Sequence, residues 1–154
     1  MKHLLLFLFC SSFAVAQNCN YLMIDDYCTK TANDDFERYE FTKHEHYSSV
    51  INKLKHLKIS KDSNTIIYLA KCKDMQRMYA IHFTDDKLTL MEIMQATNKK
   101  YEEGLFNVAI DNVKMYFVEE IKYEKDGVAY FDNECYTVTV QKTKNAIKTT
   151  ILMK

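Results

Sequence analysis

Few side chains in this sequence are grouped in a way that could do chemistry. His44-Glu45-His46 is the first such group. On a strand, residues two apart share a face, so both imidazoles could hold one metal ion. On a helix the two rings point apart, and the surrounding pattern favours a helix. With no third ligand nearby, we assign no metal. His82 falls among the outward positions of a strand, which places it on a surface or a sheet edge. Glu119 interrupts an otherwise apolar face. A carboxylate there is either buried for function or marks an open end of that face. We read the open end and keep Glu119 as a candidate binding residue. Tyr116, Tyr123, Tyr130 and Tyr136 lie close together in the chain and join it as candidates, because tyrosine combines an apolar ring with a polar tip that suits recognition. The same rings also serve cross-strand packing.

Four cysteines follow the leader described below: Cys19, Cys28, Cys72 and Cys135. A Cys–His nucleophile needs a thiolate beside a base. In an oxidising compartment, however, an even set of cysteines reads as two disulfides. Of the three connectivities we favour Cys19–Cys28 with Cys72–Cys135, since a local pair is the easiest to close. No C-x-x-C motif occurs, so the zinc-ribbon, thioredoxin and c-type haem patterns are missing. The chain has no Pro and no Trp, and its only glycines are Gly104 and Gly127. Phosphate-binding loops, the dinucleotide fingerprint and the nucleophile elbow all need glycines where the backbone turns sharply or meets a ligand. This chain cannot build them, and no residue pattern calls for a cofactor.

Export is written at the start. Lys2 and His3 precede an apolar run, and Ala14-Val15-Ala16 fits a small-x-small cleavage site before Gln17. We read residues 1–16 as a signal peptide and 17–154 as one domain. The run is short of the roughly 20 apolar residues that a spanning helix needs, and no later segment is apolar enough to cross a membrane. Acylation at Cys10 is the rival reading, but Leu8-Phe9 is a poor lipoprotein site. Acidic and basic residues number 21 each, and the leader removes only Lys2 from that balance. Arg38 and Arg77 are the only arginines. Near-neutral charge with few planar guanidinium forks argues against nucleic-acid recognition.

The elements that must position these groups are mostly strands. Residues 113–124 alternate, with Val113, Met115, Phe117, Ile121 and Tyr123 on one face, the mark of a half-buried strand. Asp126-Gly127 supplies a tight turn, since both central positions of a type I′ turn need positive φ. Further strands are expected over 65–71, 79–83, 105–110, 128–131, 136–140 and 147–153. Residues 88–94 could be a strand or could open a helix ended by Gly104; we read the strand, followed by a polar excursion over 97–103. A helix precedes them all. Its convincing part is 48–58, with Val50, Ile51, Leu54 and Leu57 as its stripe. The part over 36–41 could instead be a strand. No internal repeat or linker divides the chain.

The expected fold is therefore mainly β (α+β): an antiparallel meander, or a small barrel or sandwich, of seven to eight strands with one N-terminal helix. Strands at spacings of about 8–12 residues suit any of these. In outline, eight strands, export and disulfides resemble a lipocalin, which implies a barrel that carries a small apolar ligand. The family's Gly-x-Trp motif is missing and its helix follows the barrel, so no residues transfer. The leader end resembles those of exported proteins of Gram-negative bacteria. Three function classes follow. The first is a periplasmic or extracellular non-catalytic binding module, inhibitor- or immunity-like, with a protein partner. The second is a β-barrel carrier of a small apolar ligand, and the third a small hydrolase using Glu119 or a histidine.

Overall fold

The computed structural model describes residues 22–30, 36–72, 75–117, 121 and 123–154, with side chains over 39–70, 76–115, 121 and 124–154. The protein is mainly β. A hairpin of β1 (Leu22–Lys30) and β2 (Phe36–Phe41) opens the chain. Helix α1 (Tyr47–Lys53) follows, then β3 (Ile59–Lys61), β4 (Thr65–Cys72), β5 (Met75–Thr84) and β6 (Lys87–Ala96). Helix α2 (Glu102–Phe117) then leads to β7 (Tyr123–Lys125), β8 (Val128–Asp132), β9 (Tyr136–Lys142) and β10 (Ala146–Met153).

Eight of the strands form one antiparallel sheet in the order β3-β4-β5-β6-β10-β9-β8-β7. Each run of four is a meander, and the two meanders join through the last strand of each, β6 and β10. A helix precedes each meander. The unit helix-strand-strand-strand-strand thus occurs twice, and the antiparallel β6–β10 pairing relates the two copies by an approximate two-fold turn. The amino-acid sequence carries no recognisable repeat, so this duplication is visible in the topology alone. Among the described residues the sheet is open, with the three-residue strands β3 and β7 at its ends. Of the expected alternatives, the antiparallel meander sheet is the one found.

Alternation sorts the side chains of the sheet onto two faces. On one face Ile66, Ile81, Met91, Ile151, Val138 and Phe131 line up across six strands. All six are buried. Tyr68, Tyr79, Ile93, Thr149, Val140 and Ala129 form the next row, in which the rings of Tyr68 and Tyr79 stack at 6.0 Å. Val50 and Leu54 of α1, Phe106, Ile110 and Val113 of α2, and Phe41 of β2 complete this core.

The long strand expected over 113–124 is the main correction, together with the short one over 105–110. Residues 105–110 and 113–117 belong to α2, which packs on β9 and β10, while 123 and 124 lie in β7 as a strand and 118–120 and 122 lie outside the described residues. Val113 is 3% exposed and Met115 66%, although a strand would have put both on one face. The stripe that counts is Leu105, Phe106, Ala109, Ile110 and Val113, spaced at three and four as a helix requires. Glu102 and Glu103 favour its N-terminal end and Lys114 its C-terminal end. Residues 87–96 form the expected strand. The N-terminal helix is shorter than expected, and 36–41 takes the alternative of a strand. Asp126 and Gly127 make the expected hairpin turn, with φ of 53° and 76°. The β5–β6 turn uses Asp85 and Asp86 in the same left-handed region.

Candidate functional site

The second face of the sheet is built from the same strands and carries no helix among the described residues. Three rows cross it. The first is Thr65, His82, Leu90, Leu152, Thr137 and Asp132; the second is Ile67, Ala80, Glu92, Thr150, Thr139 and Tyr130. The third is Leu69, Met78, Met94, Lys148, Gln141 and Val128. Only Ala80 is buried. Ile67, Leu69 and Leu152 are 39%, 48% and 46% exposed. With the partly exposed Met78, Leu90 and Met94 they make an apolar area over β4, β5, β6 and β10. Towards β8 the face becomes polar, through Thr137, Thr139, Gln141, Tyr130 and Asp132.

A polar line crosses the apolar area. Thr65 Oγ1 lies 3.3 Å from His82 Nδ1. His82 Nε2 lies 3.5 Å from Glu92 Oε2, and Lys148 Nζ lies 2.5 Å from Glu92 Oε1. Four strands contribute one side chain each. The hydrogen bond from Lys148 holds the Glu92 carboxyl below the usual carboxylate range, against the opposing effect of burial. Hydroxyl, imidazole and carboxylate stand in the order used by nucleophilic hydrolases. The nearest backbone donors are engaged, however: the N–H groups of Asn64 and Thr65 both donate to Asp62 Oδ1. Neither can receive a developing oxyanion. The line fixes where charge lies on an apolar surface; His82 Nε2 stands near Glu92 without a hydrogen-bond partner among the described residues.

The groups expected from the sequence are scattered. His44 sits at a turn with φ of 58°, and His46 precedes α1, its Nδ1 3.2 Å from Asp86 Oδ2. The chemistry of that tripeptide belongs to Glu45, which is buried. Its carboxylate accepts hydrogen bonds from the Thr42 amide, the Ser49 hydroxyl and Lys53 Nζ, the last lying 2.8 Å from Oε1. Burial opposes ionisation there, but these donors outweigh it and lower the pKa. Glu45 thus anchors the short helix α1.

The four tyrosines do not form one patch. Tyr116 lies in α2 rather than in the meander. Tyr123 and Tyr130 are register partners across β7 and β8. Tyr130 stands on the open face, whereas Tyr136 is buried on the opposite one, where burial pushes its hydroxyl pKa up. Glu119 and Cys19 lie outside the described residues, and Cys28 and Cys72 are described in backbone only.

Cys135 is buried and disulfide-bonded, to a sulfur outside the described side chains. The sheet register rules out Cys72 as that partner. Thr65 and Thr137 share a row, so Cys72 and Cys135 lie towards opposite ends of strands β4 and β9. Those strands are also four steps apart, about 19 Å at about 4.8 Å per step. A disulfide needs Cα atoms within about 7 Å. The favoured Cys72–Cys135 pairing is corrected on this ground.

The sequence did place His82 on an outward position. It missed Thr65, Glu92 and Lys148, because only the sheet register brings them to His82. In comparisons with protein-family models, curated proteins and solved structures, nothing matches this chain at a significant level.

Proposed function

We propose that the mature chain is an exported, non-catalytic interaction module that docks a protein through the β4–β6–β10 part of its open face. The observation that carries this reading is the exposed pair Ile67 and Leu69 on β4, whose apolar surface continues through Met78 and Met94, with Leu90 and Leu152 beyond the His82–Glu92–Lys148 line. Contiguous apolar surface of this kind marks interaction sites, and methionines such as Met78 and Met94 adapt to a partner's relief. Export rests on the leader, and the absence of glycine loops supports a non-catalytic role. Within the mature chain, elimination leaves Cys19 or Cys28 as the partner of Cys135.

A photoreactive residue placed at Leu69 of the secreted protein tests the reading. We expect it to crosslink to a protein, while the same group at Met115, on the outer side of α2, does not. No crosslink from Leu69, Ile67 or Leu152 would overturn the docking role. The mass of the same secreted sample should begin at Gln17, and a non-reducing peptide map should join Cys135 to Cys19 or Cys28.

A further inference from the structure

We propose that the occupant of the open face is a second copy of this chain, so that two sheets pack face to face with the helices outside. This rests on the docking role just given and names the partner. Four observations carry it.

The first is charge. Among the described residues, the apolar area holds one carboxylate, Glu92, and one ammonium, Lys148, already paired with each other. Such a face offers no uncompensated charge to select a charged foreign surface. Two copies meet without like-charge repulsion, and in a two-fold contact any Glu92–Lys148 approach occurs twice. The mature chain is near neutral as well, since removing the leader takes only Lys2 from the 21 basic residues that stand against 21 acidic ones. No long-range repulsion opposes pairing.

The second is size. The axes of β4 and β9 are about 19 Å apart, so with the width of the outer strands the five strands β4, β5, β6, β10 and β9 cover about 24 Å by about 27 Å, a flat footprint of about 650 Å². That is of the order of the roughly 800 Å² per partner of a standard stable interface.

The third is composition. The apolar area is bordered by Thr137, Thr139, Gln141 and Tyr130, which supply the polar rim that stable interfaces carry. Twisted sheets with apolar inner faces pack at about 10 Å and about −30°, as in β-sandwiches.

The fourth is closure. The edge strands β3 and β7 are three residues long and carry Lys61 and Lys125. Short, charged edges resist strand addition. At the ends of the eight-stranded sheet strand addition is thereby disfavoured, and a face-to-face contact closes at two copies.

Light scattering coupled to gel filtration, with the oxidised mature chain at about 100 μM, tests the proposal. We expect twice the chain mass. Leu69→Lys and, separately, Leu152→Lys should weaken the dimer by at least about tenfold with an unchanged far-ultraviolet spectrum. Both side chains are exposed, so neither change disturbs the core. Met115→Lys should leave the dimer intact. A wild-type monomer at that concentration overturns self-pairing, and so does a dimer indifferent to both lysines. If that monomer still crosslinks to another protein from Leu69, the docking role survives and only the choice of partner falls. If it crosslinks to nothing, both fall.

Discussion

The two helix-plus-meander halves of this protein share one topology and differ in where they place their apolar side chains. The first half has a seven-residue helix and strands of three to ten residues, three of them eight or longer. The second has a sixteen-residue helix and strands of three to eight residues. In the second half apolar residues are concentrated on the covered face, where Phe106, Ile110 and Val113 meet β9 and β10. In the first half both faces are apolar. Ile66 is buried in the core, and its neighbour Ile67 stands in solvent. A fold that needed only to be stable would gain nothing from Ile67, Leu69 and Leu152 on the open side. The half with the smaller helix therefore contributes most of the exposed apolar surface, and Leu152 of β10 is the second half's share of it.

The largest effect should come from breaking the second half's core. Phe106→Ala removes a fully buried ring against the sheet and should cost about 3–5 kcal/mol, measured by urea unfolding. A loss under about 1 kcal/mol would mean that α2 does not hold the second meander.

A smaller effect separates the halves by pH. Helix α1 depends on the Glu45 ion pair, and Glu45→Gln should cost about 1–2 kcal/mol at pH 7. The folded-state pKa of Glu45 lies below its ordinary 4.5. Its contribution is therefore present above pH 4.5 and is lost as pH falls through the depressed folded value. The gap between wild type and Glu45→Gln should narrow under acid, read as converging unfolding midpoints. A constant gap down to about pH 2 would show that the charge of Glu45 is irrelevant.

The smallest effect is a gain. Gly104 lies in the first turn of α2, and a Cβ there meets nothing within 4 Å. Gly104→Ala should stabilise the protein by up to about 1 kcal/mol, seen as a raised melting temperature. It should leave the open face, and any dimer, unchanged.

Much of the sheet was legible in the sequence. Residues 65–71, 79–83 and 88–94 alternate or run apolar between turn signals, and each lies within a strand. Asp126-Gly127 announced its turn because few residues tolerate positive φ at both central positions. Residues 102–117 misled because Val113, Met115 and Phe117 alternate, while Phe106, Ile110 and Val113 recur at helical spacing. Val113 satisfies both patterns. The candidate site was less legible than the fold: Thr65, His82, Glu92 and Lys148 are far apart in the chain and become neighbours only through register.

Composition and local pattern are enough for the mainly β character, the hairpin turns, the near-neutral charge and the lack of glycine-built ligand loops. Each of these follows from local periodicity or composition. The tertiary structure decided that 102–117 is a helix, that the sheet stays open, and which of its two apolar faces is covered. Those choices are non-local. A period of two states that a strand has two unlike faces, but only the rest of the chain supplies the layer that one of them packs against. In this protein α1, α2 and the β1–β2 hairpin take one face, and Ile67, Leu69 and Leu152 are left on the other.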